Sequence, residues 1–180
     1  YDAVGNRTGM TDANGHVTLY EYDELGRLVT STDPLSRTVA YSYDALGNRV
    51  LTDRADGTEI TYTHDALSRV THIAYPEGTI AYAYDVMGNR TSMVDAVGLT
   101  SYTYDALDRL IKSDGPTGTV QYSYDLNGNR LTVGDGAGHT TSYSYDAANQ
   151  LVSVTDWEDR VTIYTHDAAG RQTSVSYPNG

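Results

Sequence analysis

The chain has 180 residues, enough for one domain with a substantial core, yet it contains no Phe, no Cys and a single Trp (Trp157) against 17 Tyr. That composition favours thin, tyrosine-rich layers over a thick dry core, and it excludes a disulfide framework and a thiolate metal site. Its 24 acidic residues outnumber 12 basic ones for a formal net charge of −12, which argues against nucleic acid as a partner, and no apolar run reaches the roughly 18 residues of a membrane-spanning helix.

Along the chain, Tyr-Asp or His-Asp pairs begin at Tyr1, Tyr22, Tyr43, His64, Tyr84, Tyr104, Tyr124, Tyr145 and His166. The spacing of 20 or 21 residues predicts eight complete repeats and a partial ninth, one array over residues 1–180. Both ends fall inside repeats, as expected of a fragment. The unit is clearest at Tyr41-Ser42-Tyr43-Asp44-Ala45-Leu46-Gly47-Asn48-Arg49. It returns as Tyr82 to Arg90 and Tyr122 to Arg130, with altered turns at Tyr20 to Arg27, Tyr102 to Arg109 and Tyr164 to Arg171.

In the repeat from Tyr22 to Tyr43, the β-branched stretch Arg27 to Thr32 predicts a strand and Asp33-Pro34-Leu35-Ser36 a type I turn. Thr38 to Tyr43 alternates large and small residues and predicts a second strand, after which Asp44 to Asn48 turns the chain back. Gly47 supplies positive φ there, and Asn48 is expected to tolerate the same region. Two strands per repeat make an all-β meander of about 16 to 18 antiparallel strands, with helix nearly absent.

Side chains alternate across a strand, so Val39, Tyr41 and Tyr43 share one face with Ile60, Tyr62 and His64, with Ile80, Tyr82 and Tyr84, and with Val120, Tyr122 and Tyr124. The resulting tyrosine ladders are expected to touch through Leu28, Val50, Val70, Leu110, Leu131 and Leu151 on the intervening strands. At the turns, Asp23, Gly26 and Arg27 form a structural set, repeated as Asp44, Gly47 and Arg49, as Asp85, Gly88 and Arg90, and as Asp125, Gly128 and Arg130. Each Asp is expected to accept turn N–H bonds, and each Arg to cover a Tyr ring and pair with its Asp across the turn, as for Asp65 and Arg69.

No catalytic set emerges, so an enzyme and a cofactor are not expected. His16, His64, His72, His139 and His166 fall in different repeats without metal-ligand spacing, and Ser lacks a Gly-x-Ser-x-Gly context. Asp12-Ala13-Asn14-Gly15 and Gly134-Asp135-Gly136-Ala137-Gly138 have calcium-like residue types, but ordinary turn chemistry accounts for them. A row formed by Tyr41, Tyr43, Tyr82, Tyr84, Tyr102, Tyr104, Tyr122 and Tyr124 could stack sugar rings. Packing is the preferred assignment, with carbohydrate adhesion as the alternative.

The Tyr-Asp-x-x-Gly-Arg-Leu pattern at Tyr22 to Leu28 and the Thr-Asp-x-x-Gly turn at Thr11 to Gly15 resemble the YD, or RHS, repeat, and the resemblance covers the whole chain. Local departures are His at 64 and 166, Ser68 and Asp108 in place of the turn Gly, and Asn149-Gln150 in place of Gly-Arg, where less regular turns are expected. The family includes bacterial Rhs and Wap-type polymorphic toxins, shell components of insecticidal toxin complexes, and teneurins. The resemblance implies a spiral sheet closing as a shell around a toxin domain, an extracellular or cell-surface setting, and neighbouring repeat segments or further copies as partners, with surface glycans as the alternative. The sequence has no match to the self-cleaving core domain or to a toxin domain of such proteins.

Geometry leads the same way. Some 17 strands at about 4.8 Å spacing make a ribbon roughly 80 Å long and about 20 Å wide, which must curl or stack to cover a face. Edges at Tyr1 and Gly180 invite end-to-end association, and no membrane insertion is expected.

Overall fold

The computed structural model describes residues 1–179; Gly180, the expected end of the array and its second exposed edge, lies outside them. Among the described residues there are seventeen strands and no helix, so the expected all-β architecture of antiparallel hairpin repeats is present.

The chain divides into two compact units. The first comprises residues 1–82 with 94–96. It holds β1 (Gly9–Thr11), β2 (Val17–Tyr22), β3 (Leu28–Thr32), β4 (Thr38–Tyr43), β5 (Arg49–Asp53), β6 (Glu59–His64), β7 (Val70–Tyr75) and most of β8 (Gly78–Tyr84). Each pairs antiparallel with the next. The predicted strand Thr38 to Tyr43 is β4, and the predicted strand from Arg27 starts one residue later, as β3.

The second unit comprises residues 83–93 with 97–180. It holds most of β9 (Arg90–Val94), then β10 (Leu99–Tyr104), β11 (Leu110–Gly115), β12 (Gly118–Tyr124), β13 (Arg130–Gly134), β14 (Thr140–Tyr145), β15 (Leu151–Thr155), β16 (Val161–His166) and β17 (Gln172–Ser176). From β10 to β17 each strand again pairs antiparallel with its successor.

One irregularity recurs in both units. Directly after each Tyr-Asp turn the register shifts: Tyr43 faces Arg49 while Ser42 faces Leu51, which leaves Val50 as an unpaired bulge residue. Tyr124 faces Arg130 and Ser123 faces Thr132, so Leu131 is bulged in the same way. The ladder contacts expected through Val50 and Leu131 are therefore corrected. In loops of the same length whose fifth residue is not Asn, Leu28, Leu110 and Leu151 do stand opposite Tyr22, Tyr104 and Tyr145, as Val70 does opposite His64, and the bulge falls on the next residue. A bulge adds one residue to one strand and inverts the facing of everything beyond it.

The faces are unlike, as the alternation predicts. In β2, β6, β10, β14 and β16 every second residue, the set containing the Tyr, is half-buried, and the other set is exposed. Among the described residues no hydrophobic side chain is fully buried, and the most enclosed residue is Thr52, at 7 % exposure. Burial comes from neighbours in the one sheet, because within each unit strands contact only their sequence neighbours.

Candidate functional site: the turn edge and its tyrosine face

Each Tyr-Asp turn is a five-residue loop organised by one carboxylate. At Asp23, the backbone N–H of Gly26 donates to the Asp23 carbonyl at 2.9 Å, and the Asp23 N–H donates to the Arg27 carbonyl at 2.9 Å. Asp23 Oδ1 accepts the N–H groups of Leu25 and Arg27 at 3.0 and 2.9 Å, and Oδ2 accepts Arg27 Nε at 2.6 Å. The same bonds recur from Asp2 to Asp167. They hold the Asp23 carboxyl below its ordinary range, chiefly through the Arg27 N–H and then the Arg27 side chain, against the opposing effect of desolvation.

The fourth residue of the turn needs a left-handed backbone, and Gly47 has φ of +87°. Asn48 does not share that region, contrary to expectation. The substitutions at this fourth position also proved regular: Ser68, Asp108 and Asn149 take φ of 62°, 59° and 61° and keep the turn hydrogen bond to the carbonyl three residues back. Short polar side chains tolerate this region at modest cost.

The fifth residue divides eight of the nine turns into two kinds, with Gln150 in the turn at Asp146 belonging to neither. Arg27, Arg69, Arg109 and Arg171 place Nε on the turn carboxylate at 2.6–2.8 Å. In the alternate turns Asn6, Asn48, Asn89 and Asn129 put a side-chain amide there instead, at 2.8–3.2 Å. The expected ion pairs of Asp44 with Arg49, Asp85 with Arg90 and Asp125 with Arg130 are therefore replaced by amide bonds to Asn48, Asn89 and Asn129, because Asn takes the fifth, donor position of the loop and the Arg follows it as the sixth residue.

That one-residue displacement decides which ring each Arg covers. Arg27 and Arg109, fifth in their turns, lie 4.7 and 4.8 Å from the rings of Tyr43 and Tyr124, the second Tyr of the following motif. Arg7, Arg49, Arg90 and Arg130, sixth in theirs, lie 4.6–5.3 Å from Tyr20, Tyr62, Tyr102 and Tyr143, the first Tyr of the following motif. Arg49 also approaches Tyr41, at 5.8 Å. Each contact is worth about 0.5–1 kcal/mol at half-exposed sites.

The second Tyr also ties its repeat to the one before. Tyr43 OH donates to the Leu28 carbonyl at 2.8 Å, and Tyr22, Tyr104, Tyr124 and Tyr145 donate in the same way to Arg7, Arg90, Leu110 and Arg130 at 2.9–3.1 Å. These carbonyls lie at the start of the bulged segments, so the phenol satisfies backbone that the ladder leaves irregular. Removing the hydroxyl alone, as in Tyr43→Phe, is expected to cost about 1 kcal/mol in urea unfolding while leaving the circular dichroism spectrum unchanged.

Turn-to-turn bonds complete the edge within each unit. Arg27 Nη1 reaches the Asp44 carbonyl at 3.3 Å and Arg109 Nη1 the Asp125 carbonyl at 2.8 Å. Asn89 donates to Asp108 Oδ1 at 2.7 Å, and Asn129 to Asn149 Oδ1 at 2.8 Å. His16 and His139 repeat the theme on the other edge, with Nδ1 at 3.0 and 2.6 Å from Asp12 and Asp135. The carboxylates of the calcium-like stretches are thus used within their own turns.

Of the eight tyrosines named as a row, Tyr41 and Tyr43 lie on β4, Tyr82 and Tyr84 on β8, Tyr102 and Tyr104 on β10, and Tyr122 and Tyr124 on β12, and all are half-buried. The rings of Tyr41, Tyr43, Tyr102 and Tyr124 each have a guanidinium over one face. The role of the four asparagines, Asn6, Asn48, Asn89 and Asn129, was missed at the sequence level, although their regular exchange with Arg27, Arg69 and Arg109 was visible there.

Comparison with known proteins fits this architecture. Seven overlapping segments, residues 1–38, 22–59, 51–80, 84–120, 104–140, 124–161 and 145–180, match the RHS repeat model. No curated protein matches the chain. A structure of the Photorhabdus luminescens Tc holotoxin pore with a mutated TccC3 is similar in fold, with a TM-score of 0.66 and 18 % identity over 98 % of this chain. A crystal structure of TcdB2-TccC3 without its hypervariable C-terminal region gives 0.62 and 20 % identity over 96 %. The chain spans only 13 % and 10 % of those proteins. With family matches extending over residues 1–80 and 84–180, and with the Tyr-Asp turn built alike in repeat after repeat, the chain belongs to the RHS repeat family.

Proposed function

We propose that this chain is a stretch of β-sheet wall in an extracellular or cell-surface assembly, one array whose partners are adjoining repeat segments or further copies, and that the assembled wall encloses a toxin domain. The observation that carries this reading is the absence of any fully buried hydrophobic side chain among the described residues, beside a tyrosine face whose polar atoms are satisfied repeat by repeat. Such a face is stable in water but gains when a neighbour covers it. The function is then steric and mechanical: stability adds from repeat to repeat, as in other one-dimensional arrays, and no residue set is required for turnover.

Light scattering and negative-stain imaging of the purified chain over a wide concentration range test this. Species that grow with concentration are expected. A strict monomer at every concentration would overturn the assembly reading. The second reading, carbohydrate adhesion through Tyr41, Tyr43, Tyr82, Tyr84, Tyr102, Tyr104, Tyr122 and Tyr124, draws on the half-exposure of these rings, and glycan binding that disappears on Tyr→Ala substitution would favour it.

A further inference from the structure

In a repeat array, residues that recur are explained by the architecture, and a residue that breaks the pattern needs its own account. On the edge opposite the Tyr-Asp turns, the five-residue loops starting at Asp12, Asp33, Asp135 and Asp156 are capped by that first carboxylate. The loop after β5 starts with Arg54 instead. It keeps the backbone bonds, Arg54 N–H to the Thr58 carbonyl and Gly57 N–H to the Arg54 carbonyl, both at 2.9 Å. The cap has moved to Asp56, whose Oδ1 accepts the Thr58 N–H at 2.9 Å. The exchange places a positive charge where the pattern has a negative one, and the loop keeps its backbone bonds.

Arg54 borders a depression of about 590 Å³ on the tyrosine face of the first unit, lined also by Arg37, Arg49, Val39, Tyr41 and Thr52 and by the carboxylates of Asp33 and Asp56. Three guanidinium groups against two carboxylates, one of them bound by Arg37 and the other capping its own loop, leave this hollow with an excess of positive charge in a molecule of net charge −12. Arg37 is held by Asp33, Nη2 to Oδ2 at 2.6 Å, and Arg49 is fixed between the rings of Tyr41 and Tyr62. The exposed Arg54 guanidinium makes no ion pair or side-chain hydrogen bond among the described residues. The lining also contains the most enclosed residue of the chain, Thr52, whose hydroxyl is buried without a hydrogen-bond partner. Buried hydroxyls are ordinarily paired, so this one marks an unused donor.

We propose that this hollow binds the side-chain carboxylate of an acidic peptide segment. Arg54 and Arg37 grip the oxygens through charge-assisted bonds, a small rotation brings the Thr52 hydroxyl to donate a further one, and the methylenes of the Glu or Asp rest on Tyr41 and Val39. A peptide is favoured over a bare anion because half the lining is apolar surface that an inorganic ion leaves uncovered. The inference rests on the wall reading, to which it adds the chemistry of the partner: elsewhere an acidic wall repels an acidic chain, and here it holds one.

The test is fluorescence anisotropy of a peptide alternating Glu and Gly, end-labelled with an uncharged dye and titrated with the intact chain. Saturable binding is expected, weakening with salt and absent for the matching Gln-Gly peptide. Arg54→Asp restores the residue that the other loops use, so it should keep the thermal midpoint while weakening binding about ten-fold or more. Thr52→Val, which removes the unpaired hydroxyl at constant shape, should weaken binding without loss of stability. Affinity unchanged in both variants, equal binding of the Gln-Gly peptide, or displacement by millimolar sulfate or a uronic-acid oligosaccharide as readily as by free peptide would each overturn the proposal. Assembly in light scattering without peptide binding would defeat this inference and leave the wall reading standing.

Discussion

Lowering the pH through the carboxylate range should unfold the array, and steeply. The Asp44 carboxyl is held below the ordinary 3.8 first by the Asn48 side-chain amide, against desolvation, and further by the N–H groups of Asn48 and Leu46. That of Asp33 is held down first by the Arg37 side chain and then by the Arg37 N–H. A carboxyl whose folded value lies below its unfolded one contributes stability that is fully present above the unfolded value and is lost as the pH falls through the folded one. Because nearly every turn carries such an Asp, the unfolded chain takes up several protons that the folded chain refuses, and the slope of stability against pH grows with their number. Urea midpoints measured from about pH 6 down to about pH 3 should be flat at first and then fall sharply below about pH 4. Added salt should change this little, since the dominant causes are hydrogen bonds at contact distance rather than long-range attraction. A midpoint that declines evenly from pH 6, or not at all, would show that the turn carboxylates do not govern stability.

Gly98→Ala is the single substitution expected to do most damage. Gly98 has φ of +136°, and a Cβ there would lie 2.8 Å from Pro116 Cγ. Pro116 belongs to the tight link from Gly115 to Gly118, itself crowded, since a Cβ on Gly115 would meet Thr100 Oγ1 at 2.6 Å. The alanine therefore meets both an unfavourable backbone region and a stiff ring that cannot give way, for a loss of about 2–4 kcal/mol. Gly57→Ala provides the control: φ is +81° but a Cβ would have nothing within 4 Å, so only backbone strain of about 1 kcal/mol applies. Equal losses for the two in urea unfolding would mean that the steric contact with Pro116 is not what matters.

Much of the fold was legible because its signals are local. The β-branched and tyrosine alternation of Thr38 to Tyr43 sets the faces of a strand without help from distant residues. Asp-x-x-Gly is a turn wherever it occurs, since the carboxylate and the residue of positive φ lie within the same five residues. The misreadings at the turns have one physical origin, the exchange of Arg for Asn at the fifth position of loops of equal length. With Asn48 in the fifth position, Arg49 follows as the sixth and pairs opposite Tyr43 rather than with Asp44, and its guanidinium moves from one ring to its neighbour, while the bulge comes one residue later in turns of either kind, at Val50 as at Val29. None of this follows from residue types read one repeat at a time. The turns at Ser68, Asp108 and Asn149 were expected to be irregular because propensity disfavours a side chain there, but the carboxylate bonds around them impose the geometry. The hollow at Arg54 depended on which loops the topology brings beside one another, and only the exchange of Asp for Arg hinted at it.

The alternation of Asn and Arg turns, which holds from Asn6 to Asn129, has a consequence for how such a stretch can change length. Excising residues 23–43 would bring the turns of Asn6 and Asn48 together, so that Arg7 and Arg49 would both be directed at Tyr20, which takes the place of Tyr41. Excising 23–64 instead would join the Asn6 turn to the Arg69 turn, and the order would survive the cut. The true module of growth is therefore the pair of repeats, and an array of this kind can lengthen or shorten by even steps while odd ones leave a fault line.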